Sequence, residues 1–160
     1  MKPSGLRATL YHDIFTGEYA VAFAGVNQVR DVFQSMGQMA FGKSRQFTEA
    51  LDEVTAVMQE YNTRPILVGH SLGGALAAVV AVQLGLKAYT FNAEGVNSST
   101  VGREALARAN DLVRNYWGGR CWLTAFQIMT PLPNAIGKQI YVGPVGHGIK
   151  GFPKDMPFVP

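Results

Sequence analysis

The sequence predicts an α/β fold: a mostly parallel sheet of about six strands with helices on both faces. Three observations predict it. Short apolar runs alternate along the chain with stretches of helical periodicity. The run Pro65-Ile66-Leu67-Val68 leads through Gly69-His70-Ser71-Leu72-Gly73 directly into an alanine-rich stretch ending at Leu84. The 160 residues, 48% hydrophobic and 16% charged, suit one core and leave little room for a second. The expectation is one domain over residues 1–160 with no large cap domain.

Taken in order, Leu6 to Tyr11 and Glu18 to Ala24 are apolar-rich runs joined through Thr16-Gly17, which reads as a hairpin. Asp31 to Phe41 carries Val32, Phe33, Met36 and Met39 on one helical face. Ser44 caps a longer helix whose buried stripe is Phe47, Leu51, Val54, Met58 and Tyr61, with the methionines as core filler. A strand at Ile66 to Val68, a helix from Gly74 to Leu84, a strand at Ala88 to Phe91 and a helix from about Thr100 to Ala109 follow. Leu112 to Trp117 and Ile140 to Val142 complete the sheet. In such a sheet the chemistry collects at the carboxyl ends of the strands.

Composition removes several classes. The net charge of +3 is that of ordinary solubility, and no basic run with interleaved aromatics supports nucleic-acid binding. No apolar run approaches the roughly 20 residues that span a bilayer. Met1-Lys2-Pro3-Ser4-Gly5 lacks the apolar stretch of a signal peptide, so the chain reads as soluble and not self-targeting. Cys121 is the sole cysteine, which excludes an internal disulfide. Gly69 to Gly74 lacks the Lys-Ser/Thr pair of a phosphate-binding loop, and no Gly-x-Gly-x-x-Gly follows a strand.

Gly69-x-Ser71-x-Gly73 between a strand and a helix is the pattern of a nucleophile elbow. The sharp turn strains the central residue, and side chains two before or two after it would collide with neighbouring backbone. A serine needs a base to take its proton, and the chain offers three histidines. His12 lies by the hairpin turn, at the opposite end of the sheet. His70 sits inside the motif, where its side chain is expected to point away from the site. His147, in Gly143-Pro144-Val145-Gly146-His147-Gly148, follows the last strand and is the expected base. The oxyanion donors are expected at the backbone N–H groups of Leu72 and of Val26, in the loop after Tyr19-Ala20-Val21-Ala22-Phe23-Ala24-Gly25.

These residues carry a resemblance. Tyr19 to Gly25 followed by Asp31, the elbow Val68 to Ala77, and Tyr89-Thr90-Phe91-Asn92-Ala93 together resemble the class 3 lipases, α/β-hydrolases of fungal and bacterial type. Asn115-Tyr116, Leu123-Thr124-Ala125-Phe126-Gln127 and His147 are similar to bacterial lipase-like domains, some carried by secreted or injected effectors. The resemblance implies a compact α/β-hydrolase fold and hydrolysis of carboxylic esters of lipids, whether triglyceride, phospholipid or short ester. It implies no metal and no organic cofactor, and as partners a lipid or small ester and transient contact with a membrane surface. An open acyl groove would be lined by Trp117, Trp122 and Phe126.

The chain departs from that family twice. Val26 stands where members have threonine or serine, and Gly118-Gly119-Arg120-Cys121-Trp122 offers no carboxylate where the triad's acid belongs. Of the eleven carboxylates, Glu49, Asp52, Glu53 and Glu60 face outward on a helix, and Asp13, Glu18 and Asp111 lie at the wrong end of the sheet. Glu104 is within a helix. Glu94, immediately after Tyr89 to Ala93, is at the correct end, and Ser71, Glu94, His147 is a chain order that α/β-hydrolases show. Glu94 is therefore the expected acid. The alternatives are Asp31, Asp155, a dyad with water or a backbone carbonyl orienting His147, and an inactive site. Cys121 reads as a partly buried structural thiol. The competing class is a binding or structural domain that keeps the fold with a degraded triad.

Overall fold

The carboxyl ends of five adjacent strands line up along one edge of the sheet, and every candidate catalytic residue described by the structure sits on or just beyond that edge. The structure is a computed structural model and describes residues 4–25 and 45–154. The expected helix from Asp31 to Phe41, the cap Ser44, and Val26, Asp31 and Asp155 lie outside the described residues. Six strands, β1 (Ala8–His12), β2 (Tyr19–Phe23), β3 (Ile66–His70), β4 (Ala88–Phe91), β5 (Val113–Trp117) and β6 (Lys138–Tyr141), form one sheet in the order β1-β2-β3-β4-β5-β6. Only β1 runs antiparallel. The registers Phe23↔Gly69, His70↔Phe91, Phe91↔Tyr116 and Trp117↔Tyr141 set the strand ends side by side.

The β1–β2 hairpin forms because Asp13 Oδ1 accepts the backbone N–H groups of Phe15 (2.8 Å) and Thr16 (3.3 Å), while Gly17 takes the left-handed conformation at φ 75°. In β2, Val21 and Phe23 are buried, and in β3, Leu67 and Gly69 are; this alternation marks the face covered by helices. Helix α1 (Arg45–Tyr61) packs against α2 (Leu72–Leu84). Its buried stripe is Phe47, Ala50, Val54 and Val57, with Leu51 and Met58 on the flank, so the expected stripe is turned toward the small Ala50, and Tyr61 is left exposed. Helix α2 carries no charge and buries eleven residues from Leu72 to Val82, as a helix apolar all round must. Gly85 ends it at φ 68°.

Two glycines explain why the elbow can be this tight. A Cβ on Gly69 would stand 2.1 Å from the Gly73 carbonyl oxygen, and one on Gly73 would stand 2.2 Å from that of Phe23. Only bare backbone lets α2 start this close to β2 and β3.

The expected helix over 100–109 is three short pieces, α3 (Ser98–Val101), α4 (Arg103–Ala107) and α5 (Ala109–Leu112), broken where Gly102 adopts φ 83°. Helix α6 (Trp122–Met129) has no counterpart among the sequence expectations. Its eight residues are too few and too uniformly apolar to show a period, although Leu123 and Gln127 are its buried face. Among the described residues no helix is long and apolar enough to cross a membrane.

Candidate active site

Ser71 follows β3 and precedes α2 with φ 55° and ψ −125°, a conformation that costs a non-glycine residue about 1–3 kcal/mol. Three hydrogen bonds hold it there. The Ser71 N–H donates to the Phe91 carbonyl (3.1 Å), and the Ser71 carbonyl accepts from the N–H groups of Ala75 and Glu94, both at 3.1 Å. The strain presents Oγ to His147, whose Nε2 lies 3.2 Å away. Sequence reasoning paired these two residues, and the structure brings them together across 76 positions of chain.

His147 is placed by two loops zipped together. After β5 and β6 the strand pairing continues as Val142 N–H to Trp117 carbonyl (3.0 Å), Gly119 N–H to Gly143 carbonyl (2.9 Å) and Arg120 N–H to Val145 carbonyl (3.1 Å). The buried Asn92, at φ 42° just past β4, braces both loops. Its amide N–H groups donate to the carbonyls of Gly146 (2.9 Å) and His147 (3.2 Å), and its Oδ1 accepts the Gly118 N–H (3.0 Å). Beneath it Asn115 links Thr90, the Ala93 N–H and Gln139.

His70 does not point away from the site as expected. Its Nε2 lies 2.5 Å from the His147 carbonyl oxygen, which can only accept, so His70 carries its proton on Nε2. The two rings are 4.8 Å apart. The residue inside the motif thus holds the loop of the base. His12 is far from this site, stacked on Tyr19 beside the hairpin with ring centroids 4.3 Å apart.

A thiol stands where the acid of a triad was expected. The nitrogen that a triad carboxylate would hold, His147 Nδ1, faces Cys121 Sγ at 3.2 Å. Cys121 is buried, at the start of the turn into α6. Glu94 is fully buried, and its backbone N–H donates to the Ser71 carbonyl, which ties it to the elbow.

The Leu72 N–H belongs to the first residue of α2, a position without an intrahelical acceptor. Val26 lies outside the described residues, but β2 delivers the chain to it: a Cβ on Gly25 would come within 2.7 Å of the His70 carbonyl oxygen. Of the expected groove, Trp122 stands beside His147 (ring centroids 5.1 Å) and Phe126 is exposed on α6, whereas Trp117 packs on Tyr141 (4.9 Å). A cavity of about 810 Å³ opens at the far end of the sheet, between Glu18, Arg64, Ile66 and Lys87, and carries none of these groups. Among the described residues no cluster of histidine, cysteine or carboxylate side chains could hold a metal ion.

Burial, and then the neighbouring His70, pull the pKa of His147 down to about 4; burial lowers that of His70 as well, against its bond to the His147 carbonyl. Both imidazoles are therefore neutral at pH 7. Because the unfolded chain binds these protons at ordinary histidine values and the folded chain does not, stability from this pair is fully present above about pH 6.5 and is lost as pH falls toward 4. The wild-type melting temperature should fall between pH 7 and pH 5, and His147→Ala should show a shallower decline in the same scan.

Comparisons with known proteins bear on this site. A family model described as phospholipase-like, the Tle-like phospholipase domain, matches residues 1–141. The "Extracellular phospholipase A1" of Serratia liquefaciens is 34% identical over 145 residues, covering 86% of this chain and 45% of that protein. The chain thus spans less than half the length of that relative. Among solved structures, the esterase domain of a Rhodothermus marinus protein aligns over 89% of both chains at 11% identity with a TM-score of 0.44.

Proposed function

Because the chain belongs to the Tle-like phospholipase domain family, we propose that it hydrolyses carboxylic esters of phospholipids through an acyl-enzyme on Ser71, with His147 as the base. One observation carries this reading: a serine held at φ 55° at a strand-to-helix elbow with its Oγ 3.2 Å from an imidazole nitrogen. Ser71 Oγ attacks the ester carbonyl as its proton passes to His147 Nε2. The oxyanion is held by the Leu72 N–H and by the N–H of Val26. The tetrahedral intermediate collapses, the leaving alkoxide takes the proton from His147, and the acyl group stays on Ser71. Water, deprotonated by His147, then releases the fatty acid and restores the hydroxyl. Neutral His147 is the form this cycle requires, and its low pKa extends that form into acid pH.

The resemblance to class 3 lipases supports the same chemistry, and the name of the Serratia liquefaciens relative supports a phospholipase A type of cut and an exported setting. The substrate is the partner the reading requires; no metal or cofactor takes part. A second reading, a binding domain with a degraded triad, is favoured by one observation, the thiol in place of a carboxylate at His147 Nδ1. The two separate on fatty-acid release from phospholipid vesicles and on labelling by a fluorophosphonate. Hydrolysis and labelling by the wild type, both abolished in Ser71→Ala, are expected. A wild type as inert as Ser71→Ala and unlabelled would establish the binding domain.

A further inference from the structure

We propose that Cys121 is the positioning residue of the base, its sulfur taking the Nδ1–H of His147 so that Nε2 is left to accept the Ser71 proton. The inference rests on the reading of Ser71 and His147 as nucleophile and base. Three features support it. Sγ lies 3.2 Å from Nδ1, within reach of a hydrogen bond to sulfur. The contact is built, since Asn92 alone grips the Gly118 N–H on the cysteine's loop and the Gly146 and His147 carbonyls on the histidine's loop, and Arg120 pairs with Gly146 as a bridge between them. And Cys121 is buried, which leaves the imidazole as the partner its sulfur meets on that side.

The chemistry differs from that of a carboxylate in one respect. A carboxylate both orients the ring and stabilises the imidazolium that forms during attack, whereas a cysteine sulfur is a weaker acceptor that serves to orient it. Position 121 therefore keeps the contact that a triad's acid makes with the base, without its carboxylate. Placing a carboxylate at position 121 should accelerate the reaction, and removing the sulfur should slow it.

The test compares wild type with Cys121→Asp, Cys121→Ser and Cys121→Ala, each folded by circular dichroism, using a short-chain p-nitrophenyl ester and a fluorophosphonate. Cys121→Asp should raise kcat by at least about tenfold and move the acid limb of kcat to higher pH, because a carboxylate favours the imidazolium. Cys121→Ala should slow labelling of Ser71 about tenfold, with part of the rate restored in Cys121→Ser. Alanine and serine variants with wild-type rates and an unmoved acid limb would overturn the proposal, whatever becomes of the aspartate variant. Failure of the underlying reading looks different: no protein would be labelled, yet the ¹⁵N resonance of His147 Nδ1 would still shift in Cys121→Ala if the sulfur seats the ring. An Nδ1 resonance that does not move overturns the pairing itself.

Discussion

Ser71→Gly should abolish hydrolysis while making the protein more stable. The activity side follows from the proposed mechanism: without Oγ there is no acyl-enzyme, and the loss of a serine nucleophile typically lowers kcat by about 10⁴-fold or more. The stability side follows from the backbone. Ser71 sits at φ 55° and ψ −125°, where its Cβ is strained and where glycine is not. Relief of about 1–3 kcal/mol, less roughly 0.5–1 kcal/mol for the added freedom of glycine in the unfolded chain, leaves a net gain of about 1 kcal/mol. For a domain of this size that is a rise of about 2–4 °C in melting temperature by calorimetry. A melting temperature that fell instead would show that the elbow is not strained, and would remove the argument that this turn is kept for what the serine does.

Asn92→Asp should disable the site from a position that never meets the substrate. The exchange keeps the Oδ1 that accepts the Gly118 N–H but turns two N–H donors into an oxygen facing the carbonyl oxygens of Gly146 and His147. The side chain of Asn92 is fully buried while the two carbonyls lie on a partly exposed loop, so the repulsion is only partly screened, and a loss of roughly 1–3 kcal/mol is expected. The loop carrying His147 would move, and displacement of a base by about 1 Å is enough to cost roughly 10²-fold in rate. The defect should shrink as pH falls, because a protonated carboxyl can donate to a carbonyl where a carboxylate cannot. Melting temperatures of variant and wild type measured side by side from pH 8 to pH 4 should therefore converge toward acid. Parallel curves with unchanged kinetics would mean that Asn92 fills space and does not hold the loops.

The exposed parts of α6 and the buried parts of the elbow illustrate how unevenly the molecule could be read in advance. Helix α2 was legible to within two residues because thirteen successive residues without a charge can only be a buried helix at this spacing. The elbow was legible because its demand is local: glycine at 69 and 73, where any Cβ would meet backbone oxygen at about 2 Å, leaves a mark in the sequence. Helix α6 and the break at Gly102 were not, since eight residues carry too little period and a single glycine does not announce a left-handed φ. Among the site residues, Ser71 and His147 were found from the order of motifs. His70 was placed on the wrong side because alternation along β3 does not say how far a long ring can lean over a strand end.

The sequence alone determined the α/β alternation, the strained serine and the base on the last loop, because periodicity, glycine and motif order are properties of residues near one another in the chain. Only the tertiary structure decided what stands behind that base. Cys121, His147 and Asn92 are separated by 26 or more positions and meet only where the loops beyond β4, β5 and β6 close on one another. Elimination among carboxylates points to Glu94 because it lies beyond the correct strand end, and its backbone N–H does bond the Ser71 carbonyl there, but no such sorting brings a thiol to His147 Nδ1. The strand ends fix which loops can meet, and long-range hydrogen bonds between those loops fix which side chain arrives at Nδ1, and no local pattern encodes the second step.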